Sequence, residues 1–119
     1  MRKIEAITMV INDAPYGIEK PWNALRLAKA LAVLKEKINI FLMGDAVVIA
    51  KKGQQTPPGY YNLAQMLGEL IALGVEVRAC GTCLNSRGLK EEELIEGVII
   101  GKMLDLARWV QGSSRVINF

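Results

Sequence analysis

The sequence contains no histidine, and that absence removes more chemistry than any other feature of its 119 residues. A Ser-His-Asp triad, a Cys-His dyad and a histidine-ligated zinc all need an imidazole. Cysteine is nearly as scarce. The two present, Cys80 and Cys83, cannot complete a four-cysteine zinc site within one chain. No metal and no cofactor are expected. Proline is absent after Pro58, which removes the downstream cis-proline of a thioredoxin-type site. No apolar run approaches the ~20 residues that cross a bilayer. Glu5 interrupts the N-terminal apolar stretch and no A-x-A-like cleavage site follows. Neither a signal peptide nor membrane association is therefore expected, and the cytoplasm is the expected compartment. Charge of one sign is not concentrated either. The 15 basic and 12 acidic residues leave a net +3 with the basic residues scattered, which argues against a nucleic-acid partner.

What is present reads as one domain over residues 1–119, since roughly 100–200 residues per domain is usual. Half the residues (51%) are apolar and 23% are charged, a globular rather than disordered balance. The two cysteines share one short segment, Cys80-Gly81-Thr82-Cys83, led into by an apolar run. In a reducing compartment a C-x-x-C pair points to redox, metal or sulfur chemistry more than to a staple. Two other patterns carry nothing. Residues 97–103 approximate a P-loop, but are one residue short between the glycines and have Met103 where Ser or Thr should hold magnesium. No G-x-G-x-x-G occurs.

The apolar pattern sets an order of elements. Residues 4–11 read as a buried strand, and 12–20 as a turn-rich loop. A helix opens at Pro21, where a missing N–H costs nothing, and runs to about Glu36. Residues 38–43 form a second strand, 46–51 a short helix, 53–59 a Pro-containing loop and 61–73 a third helix ended by Gly74. Residues 75–80 form the third strand and 80–88 a polar loop. A short helix at 90–95 has its acidic residues in the first turn, a strand covers 98–100, an amphipathic helix covers 102–111 and is stopped by Gly112, and a last strand covers 115–119. This alternation predicts an α/β fold with a mostly parallel sheet covered on both faces. Reactive groups in such sheets gather beyond the carboxyl ends of the strands, which the loops at 12–20, 44–45 and 80–88 leave.

Several segments together carry a resemblance. They are Asn12-Asp13-Ala14-Pro15-Tyr16-Gly17; Phe41-Leu42-Met43-Gly44-Asp45; Gly53-Gln54 with Gly59-Tyr60-Tyr61-Asn62; Cys80-Gly81-Thr82-Cys83 with Arg87-Gly88; and Leu106-Ala107-Arg108-Trp109 with the ending Ser114-Arg115-Val116-Ile117-Asn118-Phe119. In this order the chain resembles the DsrE/DsrF/TusD (DsrEFH) family of small sulfur-relay proteins, and most of all its YchN-like branch. The resemblance implies a three-layer α/β/α sandwich on a five-stranded sheet. It implies a persulfide-bearing cysteine at Cys80, ahead of Arg87-Gly88, and a branch-specific second cysteine at Cys83. It also implies a homotrimer or homohexamer, with sulfur donor and acceptor proteins as partners.

Three functions are compatible with these residues. The first is a sulfur carrier or sulfurtransferase in which Cys80 holds sulfur and Cys83 releases it through a disulfide or guards against overoxidation. The second is a C-x-x-C dithiol oxidoreductase. The third is a non-enzymatic oligomeric scaffold or binding module. Backbone N–H groups beside Gly81, or a facing Arg87, would lower the Cys80 pKa. Arg87 otherwise pairs with one of Glu91, Glu92 or Glu93, and Arg78 is a weaker candidate. Tyr16, Asp45, Gly81 and Thr82 are candidates for lining the cleft. As purely structural residues, Tyr16 would anchor a loop and Asp45 would cap a helix. Trp22 and Trp109 read as packing or subunit-contact residues.

Overall fold

Runs of aliphatic residues become the inner strands of one sheet, because a parallel sheet buried on both faces needs apolar side chains in both directions. The computed structural model describes residues 5–119. Its elements are β1 (Ala6–Ile11), α1 (Lys20–Val33), β2 (Lys37–Leu42), a 3₁₀ helix (Gly44–Ala50), α2 (Leu63–Ala72), β3 (Glu76–Cys80), α3 (Gly81–Ser86), a 3₁₀ turn (Glu91–Glu93), β4 (Ile99–Gly101), α4 (Met103–Gly112) and β5 (Ser113–Asn118). The strands lie in the order β4-β3-β2-β1-β5, and every neighbouring pair is parallel. The α/β expectation holds, with a wholly rather than mostly parallel sheet.

Crossover handedness then distributes the helices. From β1 to β4 each strand is laid beside the last in one direction, so right-handed crossovers place α1, α2 and α3 on one face. The chain then returns across the sheet to put β5 beside β1, which places α4 on the other face. The first face holds the main core: Ile7, Met9, Ile11, Ile38, Ile40, Leu42, Val77 and Ala79 pack against Leu25, Val47, Ile49, Leu67, Leu70 and Leu84. The second face is thinner and more polar. Trp109 of α4 meets Phe41 edge-on at 6.0 Å, and Arg78 lies 5.5 Å from the Trp109 ring centre. Thr8 bonds Ser113 across β1–β5 at 2.6 Å. No residue of α4 is buried.

Several boundaries differ from the sequence expectation. α1 ends at Val33, three residues early. Its end is a Schellman motif in which Lys35 takes the left-handed position (φ 69°) and Glu36 N–H reaches Leu31 C=O at 3.1 Å. Lysine at that position gave no stop signal. α2 ends the same way at the expected Gly74 (φ 96°), with Val75 N–H on Leu70 C=O at 3.1 Å, but starts two residues late because Asn62 caps it. The 80–88 segment is corrected from loop to helix: α3 closes on Gly88 (φ 68°), and Leu89 N–H bonds Leu84 C=O. The helix expected at 90–95 shrinks to one turn, and Ile95 N–H bonds Ala50 C=O instead. The helix expected at 46–51 is a 3₁₀ segment starting at Gly44. Gly112 belongs to α4 rather than stopping it, and β5 follows directly. Ile4, the expected start of the first strand, lies outside the described residues.

Candidate functional site

The neighbouring strands β3 and β4 send their chains to opposite faces of the sheet, β3 into α3 and β4 into α4. That divergence opens a crevice beyond their carboxyl ends, as at other topological switch points. A cavity of about 530 Å³ occupies it. The end of β2 contributes Phe41 and Met43. The end of β3 and α3 contribute Cys80, Gly81, Thr82, Cys83 and Asn85. The exit of β4 contributes Ile100, Gly101, Lys102 and Met103. Close strand packing fixes this last wall. A Cβ on Gly101 would come within 2.8 Å of the Phe41 ring and 3.2 Å of Arg78 Cβ, so no larger residue fits without displacing them.

Both thiols are free and half-buried. Cys80 is the N-cap of α3, and its Sγ accepts the Cys83 N–H at 3.3 Å, the role a serine oxygen plays at other helix starts. Cys83 Sγ accepts the Gly44 N–H from the end of β2 at 3.2 Å. Gly44 makes that contact from the left-handed region (φ 55°). Each sulfur is thus held by a backbone donor, and neither donor depends on a titrating side chain.

Burial, the largest influence, pushes the Cys80 thiol above the ordinary thiol range, and its interaction with the Cys83 thiol adds to the rise. The N–H groups of Cys83 and Thr82 pull the other way and are outweighed. The expected lowering by backbone donors is therefore present as a component but does not set the net direction.

Arg87 is corrected on both expected partners. It faces neither the thiolate nor Glu91, Glu92 or Glu93. Its Nε and Nη2 donate to Asp45 Oδ1 at 3.1 and 2.8 Å, and its Nη1 donates to Cys83 C=O at 3.0 Å. It ties the end of α3 to the segment that presents Gly44. Asp45 lies in the first turn of the 3₁₀ helix, whose N-cap is Met43, and so does not cap it. Neither Asp45 nor Tyr16 is among the residues lining the cavity, whereas Gly81 and Thr82 are. Tyr16 anchors its loop: its hydroxyl donates to Gln54 Oε1 at 2.6 Å and accepts the Leu63 N–H at 3.1 Å. Arg78 packs over Trp109 and approaches Asp105 at 3.8 Å.

Sequence reasoning missed Phe41, Met43, Gly44, Gly101 and Lys102 as site residues. The available signal was topological. The exit of β4 is a further carboxyl end, beside those left by the loops at 12–20, 44–45 and 80–88. Among the described residues, no group of three or more His, Cys, Asp or Glu side chains is placed to hold a metal.

A model of the DsrE/DsrF-like family matches residues 5–119. An uncharacterized protein of Methanopyrus kandleri is 47% identical over 116 residues, covering 98% of this chain and 95% of that one. Protein YchN of Escherichia coli is 42% identical over 118 residues, covering 98% and 100%. The crystal structure of that YchN protein matches with a TM-score of 0.91, covering 97% of this chain and 99% of the other. A protein of unknown function from Methanobacterium thermoautotrophicum, 18% identical, shares the fold at a TM-score of 0.73 over 97% and 99%.

Proposed function

We propose that this chain, which belongs to the DsrE/DsrF-like family, is a sulfur carrier that takes sulfur as a persulfide on Cys80 and passes it to an acceptor thiol. The observation that carries this reading is the position of Cys80 Sγ, capping α3 on a backbone N–H and facing a cavity at the sheet's switch point. In loading, the Cys80 thiolate attacks the outer sulfur of a donor persulfide, R–S–SH. The donor's S–S bond breaks, its electron pair leaves on R–S⁻, and Cys80–S–SH remains. Discharge repeats the exchange with the acceptor thiolate as attacker, and no external oxidant or reductant is needed. Burial keeps the resting thiol protonated, while the Thr82 and Cys83 N–H groups favour the thiolate when it forms.

Cys83 supplies a second outlet. Its thiolate attacks Cys80 Sγ, closes a Cys80–Cys83 disulfide and expels hydrosulfide. The interaction between the two thiols also favours a second reading, a dithiol oxidoreductase. The experiment that separates them is intact-protein mass after exposure to a persulfide donor. The carrier gains one reducible sulfur, Cys80→Ser abolishes the gain and Cys83→Ser retains it. An oxidoreductase loses turnover with either change. A wild-type chain that gains no sulfur from several donors overturns the carrier reading.

The same reading places the protein in the cytoplasm, where a thiol site stays reduced. No helix among the described residues is long and apolar enough to cross a membrane. From the resemblance to the YchN-like branch we further propose a homo-oligomer, a trimer or hexamer. Ile99, Leu104, Val110 and Val116 are exposed apolar residues on β4, α4 and β5, and an apolar surface of this kind favours assembly.

A further inference from the structure

We propose that the cavity beside Cys80 admits a small anionic thiol as sulfur acceptor, with Lys102 reading its negative end. The chemistry of transfer rests on the carrier reading above; the charge selectivity rests on the cavity alone. At about 530 Å³ the cavity has the size of a small-molecule site. Besides Gly81, Gly101 and the neutral polar Thr82 and Asn85, its walls sort into three kinds. Phe41, Met43, Ile100 and Met103 offer apolar surface, the two thiols stand at the β3 end, and Lys102 at the β4 exit is the one charged residue lining it. No carboxylate lines the cavity. Asp105, three residues along α4, accepts the Lys102 backbone N–H at 2.8 Å and faces Arg78 at 3.8 Å, so its charge is shared with that guanidinium. Among the described residues, Lys102 has no ion-pair partner.

This arrangement matches a molecule with a thiol at one end, a short apolar stem and an anionic group at the other. The anion sits toward Lys102 and the thiolate toward Cys80. The acceptor thiolate attacks the outer sulfur of Cys80–S–SH, the Cys80 S–S bond breaks with its pair returning to Sγ, and the acceptor leaves as an anionic persulfide. The proton on the transferred sulfur travels with it, and the exchange is redox-neutral. A cysteine on a protein surface would need no such charge, and a cationic thiol would be repelled.

The test uses the whole chain and two alkylating probes of similar size, anionic iodoacetate and neutral iodoacetamide. Their relative rates at Cys80 are read by peptide mass. A unit charge at roughly 6 Å in a water-like dielectric changes such a ratio by about threefold. The iodoacetate preference should therefore fall about threefold in Lys102→Gln and roughly ninefold in Lys102→Glu. Raising salt should erode the wild-type ratio and leave that of Lys102→Gln nearly unchanged, a readout that does not depend on the variants being equally stable. The Lys102–Asp105 bond uses the backbone N–H, so these substitutions keep the start of α4. In a second arm, loaded protein is offered 3-mercaptopropionate, 2-mercaptoethanol or cysteamine. Each rate is divided by that thiol's rate toward a free low-molecular-weight persulfide, which removes their different thiolate fractions. Preference for 3-mercaptopropionate over cysteamine should then be highest in wild type, lower in Lys102→Gln and lowest in Lys102→Glu. An alkylation ratio that is the same in all three proteins and insensitive to salt overturns the anion site. Loading without any acceptor charge preference overturns the acceptor assignment and leaves the carrier standing. A Lys102-dependent ratio in a protein that never loads keeps the anion site and removes the carrier.

Discussion

At the level of single residues, the site turns on how two sulfurs share backbone donors. Because burial raises the Cys80 pKa, its reactivity toward iodoacetamide should rise with pH through a midpoint above that of an ordinary thiol, about 8.5. The shift should persist in Cys83→Ser, since burial rather than Cys83 is its first cause; a midpoint at or below the ordinary value would contradict it. The same shift has a stability consequence of definite sign. The folded state holds the Cys80 proton more tightly than the unfolded chain, so the contribution is complete below the unfolded thiol's pKa. It is lost as pH rises through the folded one. Cys80→Ser should flatten the alkaline fall in Tm, as calorimetry at stepped pH would show. Arg87 acts at the same scale. Its pairing with Asp45 is partly exposed and worth about 0.2–1 kcal/mol. Arg87→Ala should therefore cost little stability while loosening the hold on Cys83. The cysteine pair and its place at a strand end were legible in the sequence. The partner of Arg87 was not, because Asp45 is 42 residues away and only the packing of α3 on the 3₁₀ helix joins them.

At the level of elements, three helices end on the same Schellman geometry, and only the glycine ones announce themselves. Gly74 marks the end of α2 in the sequence; Lys35 hides the end of α1 behind a helix-favouring residue. A left-handed non-glycine residue costs on the order of 1 kcal/mol. Lys35→Gly should therefore raise Tm by about 4 °C, and Gly74→Ala should lower it by a similar amount. Gly74 has open space around the added Cβ, so its cost is backbone strain alone. Equal Tm values for wild type and Lys35→Gly would show that the strain is absorbed elsewhere. α3 was hidden for a different reason. Its six residues bury only Leu84, too short a stretch to show helical periodicity, and its start is marked by a sulfur instead of an oxygen cap. What the sequence did carry was Gly88, in the position that closes the helix.

At the level of the whole molecule, the sheet has two unequal coats. Three helices cover the face that holds the main core, while α4, with nothing buried in its ten residues, covers the other. For a homo-oligomer closing over Ile99, Leu104, Val110 and Val116, light scattering should give a mass that is a whole multiple of 13.1 kDa. Leu104→Glu should reduce it to the single-chain mass while sulfur loading on Cys80 persists; a wild type that elutes at the single-chain mass at all concentrations would remove the assembly. The alternation of strands and helices made the sheet legible in advance. The placement of α4 alone on one face was not, because it follows from strand order and crossover hand rather than from any local pattern. Strand order has one more consequence. Thr8 and Ser113 meet although 105 positions apart in the chain, so β1 has no neighbour on one side until β5 has been synthesised. At about 5–20 residues per second that wait lasts on the order of ten seconds on the ribosome. During it, an open parallel edge is presented to every other nascent chain nearby.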